Sequence, residues 1–190
     1  MFFLGRTMSV GRVVVCVGVA ILALAGSRAC AANSEPDRPF SSFWSRVTVE
    51  LPVLTRHIPN NDFDDHNWGA FVDVAVTRNW SMVGGDYVNS FHRHTAFAGV
   101  AYTPVSFDLG KVKIAPNAMV GLDLNGGYKG HNSVDPLLGA FQLSLTGAHW
   151  ENTRYRILDR LGLAISIAPG STKGHGSVPV NLALVYRFGD

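Results

Sequence analysis

The chain has 190 residues, 47% of them hydrophobic and 16% charged, which is enough for one domain but poor in the charge that a soluble surface carries. Its 16 basic residues fall to 13 against 14 acidic ones once Arg6, Arg12 and Arg28 are set aside, so the basicity sits at the N-terminus. No basic patch remains to serve nucleic acid. Beyond the N-terminus no apolar run is long enough for a transmembrane helix.

The first predicted element is a secretory signal over residues 1–31, leaving residues 32–190 as the mature domain. Arg6 and Arg12 precede an apolar run from Val13 to Ala25, and Ala29-Cys30-Ala31 forms a small-x-small cleavage site. The run is shorter than the roughly 20 residues that span a bilayer, which argues against an anchor. Ser27 rather than cysteine follows Leu24-Ala25-Gly26, which argues against a lipoprotein. Cys16 and Cys30 both lie in this segment, so the mature chain has no cysteine nucleophile, thiolate metal site or disulfide.

After a polar lead from Ala32 to Arg38, Phe40, Phe43, Trp44 and Val47 recur at helical spacing behind Pro39. This predicts a short amphipathic helix over about residues 39–46, its apolar face resting in a membrane interface; the competing reading is the frayed start of a strand. Period-two alternation then dominates, as in Val178, Val180, Leu182, Leu184 and Tyr186 against Pro179, Asn181, Ala183, Val185 and Arg187. Eight such runs are expected at about 46–58, 68–78, 80–90, 94–104, 111–124, 136–148, 154–168 and 178–188. The junctions at Arg78-Asn79-Trp80 and at Pro104 to Gly110 are short, whereas those at 59–67, 125–135 and 169–177 are longer. Trp68, Trp80, Tyr87, Tyr102, Trp150 and Tyr186 near the run ends suit aromatic girdles. A soluble sandwich would turn polar faces outward; here the continuous apolar face needs lipid. The predicted class is all-β, an eight-stranded antiparallel transmembrane barrel of the Gram-negative outer membrane, with the short N-terminal helix before it.

The chemistry-bearing residues cluster at the run ends. His57 closes the first run and Asn89-Ser90-Phe91 the third, and in a barrel both ends reach the external rim. An imidazole and a hydroxyl at one rim can form a base and hydroxyl pair for acyl transfer, although on spacing alone such residues are common in solvated loops. His92 and His94 share a face without a third ligand, so no metal site is expected. Asp62, Asp64, Asp65 and His66 make an acidic external loop, read as solvated or as attracting a lipopolysaccharide-bridging cation. Gly-x-Ser-x-Gly and His-x-Glu signatures are absent.

At these residues the chain resembles the lipid A palmitoyltransferase (PagP) family of outer-membrane barrels. Pro52 stands five residues before His57; Trp68-Gly69 follows Asn67; Asn89-Ser90-Phe91 leads without a gap to Ala98-Gly99-Val100-Ala101-Tyr102; and Ile167-Ala168-Pro169-Gly170 forms a late turn. The likeness covers most of the mature chain and is thin between Asp108 and Ser133. It implies an eight-stranded barrel with an N-terminal helix that moves a palmitoyl chain from a glycerophospholipid donor to a lipid A acceptor, as a monomer and without a cofactor. His57 would be the general base and Ser90 the hydroxyl partner, while Pro52 and Pro169 would interrupt inter-strand bonding and admit lipids sideways. Two positions depart from the pattern. Asn89 stands where the family has a carboxylate; an amide orients His57 without stabilising its charged form. Ala101 stands where the family has a glycine at the acyl-pocket floor, and its methyl predicts a donor chain equal to or slightly shorter than palmitate. The alternative is a non-enzymatic small barrel of the OmpA-like sort, with a lumen packed by bonded polar side chains. A deacylase barrel would want His-x-Ser-Asn, which His92-Arg93-His94-Thr95 does not supply.

Overall fold

A computed structural model describes residues 42–58, 67–129, 136–148, 153–168 and 178–188. The predicted signal, the acidic loop at 62–66, Trp150 and Pro169 lie outside these residues.

Among the described residues the alternating runs become nine antiparallel strands: β1 (Val47–Ile58), β2 (Gly69–Ala75), β3 (Trp80–Val88), β4 (His94–Tyr102), β5 (Phe107–Leu109), β6 (Val112–Asp123), β7 (Leu137–Gly147), β8 (Leu161–Ile167) and β9 (Val178–Arg187). Chain neighbours pair throughout except β4 with β5, which both pair with β6, and β1 pairs with β9, so the sheet closes on itself as an eight-stave barrel. β5 is an extension of the β4 stave. Between them residues 103–106, with Pro104, drop out of the ladder, and the chain then turns at Gly110 with φ +62, a left-handed value that suits glycine. The expected turn from Pro104 to Gly110 is therefore a strand plus a tight hairpin. Closure removes the two outer edges that an open sheet would expose to hydrocarbon.

Two expectations change in detail. The seventh run, predicted at 154–168, begins only at Leu161, because Thr153–Asp159 folds as 3-10 turns. Arg156, Asp159 and Arg160 break the apolar alternation there, and the Leu158 carbonyl packs where a side chain on Gly147 would otherwise sit. Of the predicted N-terminal helix, the described part holds one 3-10 turn, Trp44–Arg46, and residues 39–41 fall outside.

The two ends of the barrel differ. One, the rim, gathers the connections after β1, β3, β6 and β8; the other, the base, carries the β2–β3 turn, the β5–β6 hairpin, the 3-10 turns, the start of β1 and the end of β9. At the base Phe188 N–H bonds the Val47 carbonyl at 3.1 Å, and Trp44 lies 5.7 Å from the Phe188 ring. Trp80 stacks on Tyr102 at 4.7 Å there, while Trp68 is exposed at the rim, as aromatic girdles require. Tyr87, expected in the girdle, instead points into the lumen.

Between the girdles the outer face is apolar. Met82 (63% exposed), Val53 (51%) and Leu184 (49%) stand out with Leu51, Leu54, Val72, Val100, Val120, Leu122, Leu163 and Ile165. A belt of this extent encircling a monomer exceeds any patch tolerated in water, so the belt faces lipid and the barrel spans a bilayer. Eight staves leave a bore just wide enough for side chains or one slender ligand.

Candidate functional site

β1 carries the decisive irregularity. Thr48, Glu50 and Pro52 point inward in even phase, but the β1–β9 register slips between Pro52 and Leu54, so Val53 and Leu54 both face out and Thr55 and His57 point inward in odd phase. Proline offers no N–H to the ladder, and the bulge beside it rotates the rest of the strand. Without that extra residue His57 would share the lipid-facing phase of Leu51. Among the described residues the ladder to β2 also stops here: it joins Val47–Glu50 to Val74–Phe71, and from Leu51 to Ile58 the described ladder of β1 runs to β9.

The β3–β4 turn delivers the second group. His57 and Ser90 are both buried, with Ser90 Oγ 3.1 Å from His57 Nε2. With the imidazole protonated on Nδ1, the hydroxyl donates to Nε2. Asn67, also buried, sits on the far side of the hydroxyl with its Nδ2 3.0 Å from Ser90 Oγ.

Asn89 is fully buried and shapes the turn. Its Nδ2 donates to Thr95 Oγ1 and to the Gly127 carbonyl, each at 3.0 Å, and its Oδ1 accepts from Phe91 N–H at 2.9 Å and Arg93 N–H at 3.1 Å. Two donors and two acceptor positions are all an amide has. Asn89 is therefore saturated without His57, and the expected orienting bond between them is replaced by a role in holding Ser90. Gly127 has no room for a side chain, because a Cβ there would collide with Thr95 Oγ1.

A second rim segment closes over this turn. Asp123 accepts from the N–H groups of Gly126 at 2.9 Å, Gly127 at 3.1 Å and Tyr128 at 2.7 Å. That folds Tyr128 inward, its hydroxyl 3.2 Å from that of Tyr87 and its ring edge-on to Phe91 at 6.1 Å. Burial pushes the Tyr128 phenol above its ordinary pKa, so it stays a neutral donor.

Beneath His57 and Ser90 opens a cavity of about 360 Å³. This is within the usual range for small-molecule sites. Phe71, Val83, Phe97, Met119 and Leu138 give it an apolar wall, and Glu50, Asp73 and Asn117 form the partition from a smaller space of about 170 Å³ toward the base. Six residue steps along β4 lead from Thr95, at the rim, to Ala101. At about 3.3 Å per residue and a tilt near 40°, Ala101 lies roughly 15 Å deeper. Below it the lumen is polar: Gln142 bonds Glu50 at 2.8 Å and Ser144 at 3.1 Å, and Ser81 bonds Asp73 at 2.6 Å.

No protein-family model and no curated protein matches this chain. Among solved structures it is similar to a de novo designed transmembrane β-barrel, at 10% identity and TM-score 0.46, covering 80% of this chain and 99% of that one. It is also similar to the N-terminal β-barrel domain of Pseudomonas aeruginosa OprF, at 12% identity and TM-score 0.39, covering 75% and 96%. Neither likeness bears on the residues at the rim.

The structure thus brings His57, Ser90 and Asn89 to one end of one lumen. Pro52 lies in the cavity wall just past the last described β1–β2 rung, and Ala101, buried, lines the cavity's deep part. His94 Nδ1 lies 3.0 Å from Asp86 on the exposed rim, and His92 occupies a left-handed turn position with φ 57. No cluster of three metal-ligating side chains occurs among the described residues. Asn67, whose amide meets the Ser90 hydroxyl, is not among the site residues expected from the sequence. Its only signal in the chain is an amide directly before Trp68, at the mouth of a strand.

Proposed function

We propose that this protein is an outer-membrane acyltransferase that moves a palmitate-like chain from a glycerophospholipid to lipid A. The reading is carried by one observation: a buried hydroxyl and imidazole, hydrogen-bonded at the mouth of a cavity with an apolar wall. The resemblance to the lipid A palmitoyltransferase family adds the substrates. Ser90 Oγ attacks the donor ester carbonyl and its proton passes to His57; the carbon–oxygen bond to glycerol breaks, and His57 returns the proton to the departing lysophospholipid. A lipid A hydroxyl then attacks the acyl-serine, giving its proton through His57 back to Ser90. The deep wall around Ala101 measures the chain. Pro52 and the seam beside it provide sideways lipid access, a part that the family resemblance extends to Pro169. Exposed Phe43 and Trp44, just before β1, rest in the interface.

The bonded polar side chains of the inner half of the lumen favour a second reading, a non-enzymatic barrel stabilised by its own plug. Purified protein in mixed phospholipid and lipid A micelles separates the two. The transferase releases lysophospholipid, and His57→Ala and Ser90→Ala each lower the rate by 10³-fold or more. Equal, background release from all three proteins leaves the non-enzymatic barrel.

A further inference from the structure

Resting on the reading of Ser90 as the attacking hydroxyl, we propose that Asn67 is the positioning residue that aims that hydroxyl at His57. A serine hydroxyl has one proton to donate and can rotate it freely. Three buried polar atoms meet Ser90 Oγ: His57 Nε2 at 3.1 Å, Asn67 Nδ2 at 3.0 Å and, more distantly, Asn67 Oδ1 at 3.4 Å. The amide N–H takes an oxygen lone pair and leaves the imidazole as the near acceptor, so the proton points at the base. The same N–H bears on the oxygen that loses its proton, and a donor to a developing anion favours the charged form.

Asn67 is itself held in place. The Val88 N–H bonds the Trp68 carbonyl at 2.9 Å, extending the β2–β3 ladder by one rung beyond Gly69–Tyr87. That rung sets Asn67 opposite the start of the β3–β4 turn, where the saturated Asn89 amide fixes the backbone of the Ser90 segment. One asparagine thus holds the chain of the nucleophile and the other holds its hydroxyl.

The test reads Ser90 directly, apart from any lipid transfer. A hexadecyl fluorophosphonate phosphonylates an activated serine: the Oγ–P bond forms, the P–F bond breaks, fluoride leaves and the Oγ proton goes to His57. Labelling rates are measured on detergent-folded wild type, Asn67→Asp, Asn67→Ala, Ser90→Ala and the His57→Ala pair with and without Asn67→Asp, with folding checked by heat-modifiable gel mobility. Asn67→Asp keeps the shape, removes the donor and draws the serine proton away from His57. Wild type labels at Ser90, and both Asn67 variants label roughly 10- to 100-fold more slowly. In the His57→Ala background Asn67→Asp changes the residual rate less than threefold. Wild-type rates in folded Asn67→Asp and Asn67→Ala overturn the proposal, as does a wild type that does not label. An intact labelling pattern in a protein that transfers no acyl chain sinks the transferase reading alone and leaves the role of Asn67 standing.

Discussion

At the scale of single residues, the difference between an amide and a carboxylate at position 89 is a matter of counting donors. The Gly127 carbonyl can only accept, so a carboxylate in place of Asn89 would set two acceptors 3.0 Å apart in a buried turn. Asn89→Asp is expected to lower stability by about 1–3 kcal/mol through that unmet pair. Urea unfolding of the barrel in micelles, followed by tryptophan fluorescence, should show a lower midpoint; an unchanged midpoint would mean the turn does not depend on the amide. The sequence made His57, Asn89 and Ser90 visible as polar residues at strand ends, but it could not assign their partners. Those partners come from Thr95, Gly127 and Asn67, three segments whose meeting is set by strand register. For the same reason Tyr87, near the end of its run, reads as a girdle residue until Tyr128 is seen beside it.

At the scale of elements, strict alternation located the strands well and failed inside β1 and at the start of β8. Of the eight expected runs, seven match observed strands to within about three residues at each end, because a lipid-facing stave must keep its apolar residues in step. Inside β1, period two carried from Leu51 to His57 puts the imidazole in lipid. A bulge is a local backbone event that leaves only Pro52 as a hint. Cysteine scanning of β1 tests it, helped by the fact that the native cysteines, Cys16 and Cys30, both precede the barrel. Single cysteines at Val53 and Leu54 should both react with a lipid-soluble maleimide, while those at Pro52 and Thr55 should be slow. Alternation without the doublet would place His57 on the outer face and remove it from the site. The late start of β8 has a comparable cause: charged residues at 156, 159 and 160 cannot lie on a lipid-facing stave, and the chain turns instead.

At the scale of the whole molecule, the lumen is divided into an outer half with an apolar wall and an inner half laced by hydrogen bonds. The division was not legible beforehand, since the inward residues of every strand mix both kinds and only barrel stagger sorts them by depth. It has a consequence for chain selection. Ala101 lies in the deep wall near the partition formed by Glu50, Asp73 and Asn117. Removing its methyl should lengthen the space, so Ala101→Gly should shift the preferred donor toward a longer acyl chain, read by competition among phospholipids of graded length. An unmoved preference would show that the partition, not Ala101, sets the limit.

The central claim, that the His57–Ser90 pair at the cavity mouth transfers an acyl chain to lipid A, is tested most directly by mass spectrometry of lipid A from Gram-negative cells expressing the protein. The wild type should add the mass of one fatty acyl group, with no such addition in cells carrying folded His57→Ala or Ser90→Ala. Unmodified lipid A from the wild type, or an equal increment from all three, would contradict it.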